Sequence, residues 1–143
     1  MNEKELNIIH DILNEYDEII FALLFGSRVD NKISSKSDID IGIFTDGTLD
    51  LLKKGKIITD IENIAKQKVD LVELNEIYRK SPLLAYKVAT NHKVIIEKNE
   101  NLLTDFKTNS FKHYFDSIKL RETVRAAFLK RIADNKFGHR NYG

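Results

Sequence analysis

The sequence predicts an α/β (α+β) fold, a small sheet flanked by helices, with a long helical region at its C-terminal end. Three observations carry this. Four short runs, at 19–25, 39–44, 68–74 and 93–97, have strand length and strand composition. Segments with apolar residues at helical spacing alternate with them, the pattern of helices laid over a sheet. Residues 100–133 then carry one long, aromatic-rich helical stripe.

In order, residues 3–17 place Leu6, Ile9, Leu13 and Tyr16 on one face of an amphipathic helix, with His10 at its boundary. The apolar run Ile19-Ile20-Phe21-Ala22-Leu23-Leu24-Phe25 reads as a buried strand, ended by Gly26-Ser27. The polar segment 28–37 predicts a helical turn followed by a loop. Ile39–Phe44 is the second strand, and Thr45-Asp46-Gly47-Thr48 closes it with turn chemistry. Leu52, Ile58, Ile61 and Ala65 predict a helix over 49–66, with Gly55 inside it allowing a kink or a late start. A third strand spans Lys68–Leu74. Ser81-Pro82 opens the next helix, with proline in its first turn, and Lys93–Glu97 is a fourth strand. The final stripe runs from Leu103 and Phe106 through Val124 and Phe128 to Ile132, with a break expected near Thr108-Asn109-Ser110. Packing on the sheet accounts for such a stripe; the competing reading of its aromatic density is that part of it forms a partner interface. A polar tail, 134–143, follows.

At 143 residues the expected organisation is a single domain over 1–143, with its core at about 18–98. A net charge of +1 creates no global field that calls for nucleic acid, which is not expected as a direct substrate. The absence of cysteine excludes disulfides and thiolate metal sites. No signal-like N-terminus or membrane-length apolar run is present, so the expected location is the cytoplasm.

The chemistry concentrates between Gly26 and Asp70. Asp38 and Asp40 are two residues apart at the start of a strand, so their side chains share a face. Two carboxylates side by side repel unless a divalent cation lies between them. A Gly-Ser turn after a strand brings backbone N–H groups and a hydroxyl close to a phosphate. Asp70, unexpected inside an apolar strand, supplies a third carboxylate. Glu73 is the weaker candidate because it lies on the other face. Together these residues are the inventory for metal-assisted phosphoryl or nucleotidyl transfer.

The pattern Leu24-Phe25-Gly26-Ser27-Arg28 followed by Ser37-Asp38-Ile39-Asp40-Ile41 resembles the signature of the polymerase-β-like nucleotidyltransferase superfamily. Val69-Asp70-Leu71-Val72, the Ser81-Pro82-Leu83-Leu84-Ala85 helix and the Lys93–Glu97 strand resemble its minimal nucleotidyltransferase (MNT) branch, the antitoxins of HEPN/MNT toxin–antitoxin systems. The resemblance implies a mixed sheet with the carboxylates on one face. It implies that Gly26 and Ser27 hold the β- and γ-phosphates of ATP, that Arg28 contacts the triphosphate, and that Asp38, Asp40 and Asp70 bind two Mg²⁺ ions. It further implies transfer of AMP to a tyrosine of a HEPN-domain ribonuclease, the protein partner. Where many relatives have Ala-Arg-Gly after the Gly-Ser-Arg, this chain has Val29-Asp30-Asn31. The competing readings are a binding module that occludes the toxin without catalysis, and a small-molecule nucleotidyltransferase of the antibiotic-modifying kind.

Overall fold

The computed structural model describes residues 3–26, 29 and 38–142, with side chains described as far as Asn135. The element order is α1 (Glu3–Asn14), β1 (Ile19–Phe25), β2 (Ile39–Thr45), α2 (Leu51–Ala65), β3 (Val69–Glu73), α3 (Ile77–Lys80), α4 (Pro82–Thr90), β4 (His92–Glu97) and α5 (Glu100–Tyr142). The strands form one mixed sheet in the order β3-β2-β1-β4. β1 is antiparallel to both β2 and β4, and β2 is parallel to β3. The central strand β1 is apolar at every position because helices cover both of its faces.

The two faces have separate cores. On one, Ile9 and Leu13 of α1 and Ile57 and Ile61 of α2 pack on Ala22, Leu24, Ile39, Ile41 and Ile43. On the other, Val88 and Ala89 of α4 and Leu103 and Phe106 of α5 pack on Phe21, Leu23, Phe25 and Leu74. Strand alternation therefore assigns odd residues of β2 to the α1/α2 side and even residues, Asp40, Gly42 and Phe44, to the α4/α5 side. Phe21 stacks on Phe44 at 4.8 Å between ring centroids.

Gly42 is required by this packing. A Cβ there would lie 2.8 to 3.0 Å from the Leu74 side chain, which is fully buried. Gly42→Ala is expected to destabilise the protein by about 1–3 kcal/mol through overpacking, read as a lower Tm in thermal unfolding.

Several expectations are corrected. Helix α2 starts at Leu51 with Asp50 as N-cap, its side chain accepting from the Lys53 N–H at 2.8 Å, and it passes through Gly55 unbroken. Leu52 is 86% exposed. It precedes Ile61 by nine residues, which at 100° per residue places it on the opposite side of the helix from the buried stripe. The short helix α3 had no counterpart in the sequence reading. No break occurs at Thr108–Ser110: Ser110 is fully buried and α5 runs through it unbroken. The helix also does not give way at residue 133 but runs to Tyr142. Among the described residues, no helix is long and apolar enough to cross a membrane.

Candidate active site

The sheet brings Asp40 and Asp70 to one end of the α4/α5 face, and Asp38 stands just outside it. Asp40 pairs with Phe25, the last residue of β1, and lies level with Asp70 in the parallel β2–β3 register. Asp38 immediately precedes β2, anchored where the Ile39 N–H donates to the Lys68 carbonyl at 2.8 Å. Asp38 and Asp70 are exposed and Asp40 is half-buried. Glu73 lies on the other face and is engaged by Lys54, at 2.8 Å.

The electrostatics single out Asp40. Partial burial pushes its pKa upward, and the negative charges of Asp70 and then Asp38 push it further. Among the described residues no lysine or arginine forms an ion pair with any of the three. Also among the described residues, no three acidic or histidine side chains are grouped closely enough to hold a metal ion together. The acids feel one another's charge without forming a closed cage.

Gly26 is built against this cluster. Its φ is +78°, a conformation that glycine adopts without steric cost. A Cβ at this position would run into the Asp40 Oδ2 and lie 3.2 Å from its Cγ. The turn after β1 and the first acid of β2 therefore touch only because residue 26 has no side chain. The Val29 N–H donates to the Gly26 carbonyl at 3.1 Å, closing that turn, and Val29 packs against the α1/α2 core. This gives the valine of the unusual Val29-Asp30-Asn31 run a structural role, as an apolar anchor for the turn. Ser27 and Arg28, the other predicted phosphate-binding residues, lie outside the described residues, as do Asp30 and Asn31.

Residues from α4 that sequence reasoning missed also reach Gly26. A cavity of about 350 Å³ is lined by Phe25, Gly26, Leu84, Lys87, Thr90 and Asn91. Lys87 is the one cationic residue among them. The available signal was weak: a lysine interrupting the apolar sequence Leu83-Leu84-Ala85-Tyr86-Lys87-Val88-Ala89. Just beyond, the His92 ring bonds through Nδ1 to the Val88 carbonyl at 2.7 Å, and burial holds its pKa below the usual histidine value.

In sequence the chain matches a family profile, and in structure it matches solved proteins. The sequence profile described as "Polymerase beta, Nucleotidyltransferase" matches residues 7–101. No curated protein is significantly similar in sequence. Among solved structures, a chain of a toxin–antitoxin with AMP-PNP superimposes with a TM-score of 0.70 at 21% identity, covering 90% of this chain and 99% of that one. A chain from the complex of tri-AMPylated Shewanella oneidensis HEPN toxin with MNT antitoxin gives a TM-score of 0.69 at 22% identity, with the same coverage. Spectinomycin adenyltransferase AAD(9) from Enterococcus faecialis, with ATP and spectinomycin, gives 0.57 at 16% identity, over 82% of this chain and 66% of that one. At these identities the structural likenesses establish the fold, while the profile match spans most of the chain. This chain belongs to the polymerase beta nucleotidyltransferase family.

Proposed function

We propose that this protein is an Mg²⁺-dependent antitoxin that transfers AMP from ATP to a tyrosine of a partner HEPN ribonuclease and so neutralises it. The observation that carries the reading is the seating of Asp40: a carboxylate packed on a glycine turn, level with a second acid and within the field of a third. A mere binding module has no need to keep three like charges together at a cost in stability. Support also comes from the likeness to one structure holding AMP-PNP and to another whose toxin is AMPylated.

In this reading Gly26 and Ser27 grip the β- and γ-phosphates, with Arg28 beside them. Because residue 26 has no Cβ, the turn lies directly against the Asp40 carboxylate, which would set phosphates held by the turn beside the candidate metal ligands. Lys87, across the cavity, offsets charge on the departing pyrophosphate. The tyrosine oxygen attacks the α-phosphorus, a new P–O bond forms, and the bond to the β-phosphate oxygen breaks. Asp70, exposed and therefore reachable by an incoming protein, accepts the phenolic proton.

Asp38, Asp40 and Asp70 would hold Mg²⁺. Their all-oxygen donor set suits that ion, and the two exposed acids can turn toward Asp40. Bound there, the metal supplies neutralisation of the triphosphate charge.

Lys87→Ala is expected to lower kcat by about tenfold, the loss of one charge-assisted hydrogen bond to the developing pyrophosphate charge. Initial rates against ATP concentration check it. The proposal as a whole is tested with ATP labelled at either phosphate position. Label at the α-phosphate should appear on the HEPN partner, and label at the γ-phosphate should leave as pyrophosphate. γ-Label on the partner would indicate phosphoryl transfer, and α-label only on a small aminocyclitol would indicate an antibiotic-type enzyme. Either result would replace the proposal.

A further inference from the structure

Helix α5 is far longer than the body it covers. At 1.5 Å per residue its 43 residues span about 65 Å. Contact with the body is confined to its first part. Leu103, Phe106 and Ser110 are buried, and Tyr114 stacks on Tyr86 at 4.0 Å between centroids. From Lys119 to Asn135 every residue is exposed.

The packing face does not stop where the body does. Eighteen residues make five full helical turns, so a residue and the one eighteen further on point the same way. Phe106, Ser110 and Tyr114 pack on the body; Val124, Phe128 and Ile132 are their counterparts. Val124 is 59% exposed and Phe128 58%. The apolar stripe thus continues beyond the core it was matched to.

Charge is segregated in the same way. Residues 119–143 hold seven Lys or Arg against two Asp or Glu, a net of +5, which leaves −4 for residues 1–118. Arg121 and Arg125, with Ile118 and Glu122, line a shallow recess of about 260 Å³ beside the stripe. Two such helices paired with each other would repel. Nucleic acid would neutralise the basic rim but leave the stripe in water. A protein face with an apolar groove and an acidic rim satisfies both features.

We infer that the exposed half of α5 is the docking element for the acceptor protein, engaging it through an apolar groove edged with Asp and Glu. This inference rests on the proposed function for the partner's identity and adds where and by what chemistry the partner is held. Docking at α5 raises the local concentration of the acceptor tyrosine without touching the reacting atoms.

The test uses the full chain and the same HEPN protein offered as acceptor in the labelled-ATP experiment. Val124→Glu/Phe128→Glu should abolish co-purification and raise the KM for the acceptor at least tenfold, with kcat and ATP affinity unchanged. The substituted positions are exposed, and circular dichroism confirms that the helix is retained. Arg121→Glu/Arg125→Glu should weaken binding and reduce its salt dependence. If the wild-type chain binds and modifies the HEPN protein and both variants do so equally well, the docking inference fails and the proposed function stands. If the wild-type chain neither binds nor modifies it, the proposed function fails and the inference fails with it. A wild-type dimer that the glutamate pair makes monomeric, or retention on anionic vesicles or RNA lost in the arginine variant, would overturn the inference in favour of those occupants.

Discussion

Asp40→Asn is expected to lower AMP transfer by roughly 10³-fold or more while making the folded protein more stable. Both effects come from the same placement. Asp40 is half-buried, level with Asp70 and within the field of Asp38, so its ionised form is disfavoured and its pKa lies above the ordinary aspartate value. Between the unfolded and the folded pKa the native state binds more protons than the unfolded chain. Stability therefore falls as pH rises through that window, and at neutral pH the full penalty is present. Asparagine carries no charge and escapes it. The Tm advantage of Asp40→Asn should be absent at acidic pH, below the ordinary aspartate value, and complete at neutral pH. Because water screens the open side of Asp40, the gain is at most about 1 kcal/mol. Mg²⁺ should raise the Tm of the wild-type protein and have a much smaller effect on the variant. Thermal unfolding across pH, with and without Mg²⁺, checks all three statements.

Gly26→Ala should cost about 10²-fold in transfer rate, even though it adds only a methyl group. Two physical effects combine. At φ +78° a side chain is strained by about 1–2 kcal/mol. The new Cβ would also overlap the Asp40 carboxylate, which must move away from the turn. The substitution thus displaces a candidate metal ligand and a candidate phosphate-binding backbone together. A purely structural role for Gly26 would lower Tm and leave the rate of the surviving folded fraction intact. Single-turnover rates measured well below Tm separate the two.

The shared face of Asp38 and Asp40 is a reading of strand alternation, which is local; the structure puts Asp40 on β2 and Asp38 immediately before that strand, near enough for its charge to act on Asp40. Asp70 was legible as a polar residue in an apolar strand. That it stands level with Asp40 depends on the β2–β3 register, set by packing that a single sequence does not display. The cavity side chains of α4 were hidden for the same reason. Lys87 reads as an ordinary surface lysine until α4 is laid beside Gly26. Leu52 was misplaced by trusting hydrophobicity over angle, and the expected break at Ser110 by trusting propensity over packing. Small polar residues favour turns in isolation, but Ser110 is fully buried in an unbroken helix, where tertiary packing overrides that preference.

The central claim is that this chain moves AMP onto a partner tyrosine. The most direct measurement is intact-protein and peptide mass spectrometry of the HEPN partner after incubation with this protein, ATP and Mg²⁺. The account predicts a mass increase of one adenylyl group, or a multiple of it, localised to tyrosine and absent with Asp40→Asn. A partner that is bound and neutralised yet keeps its unmodified mass would contradict it.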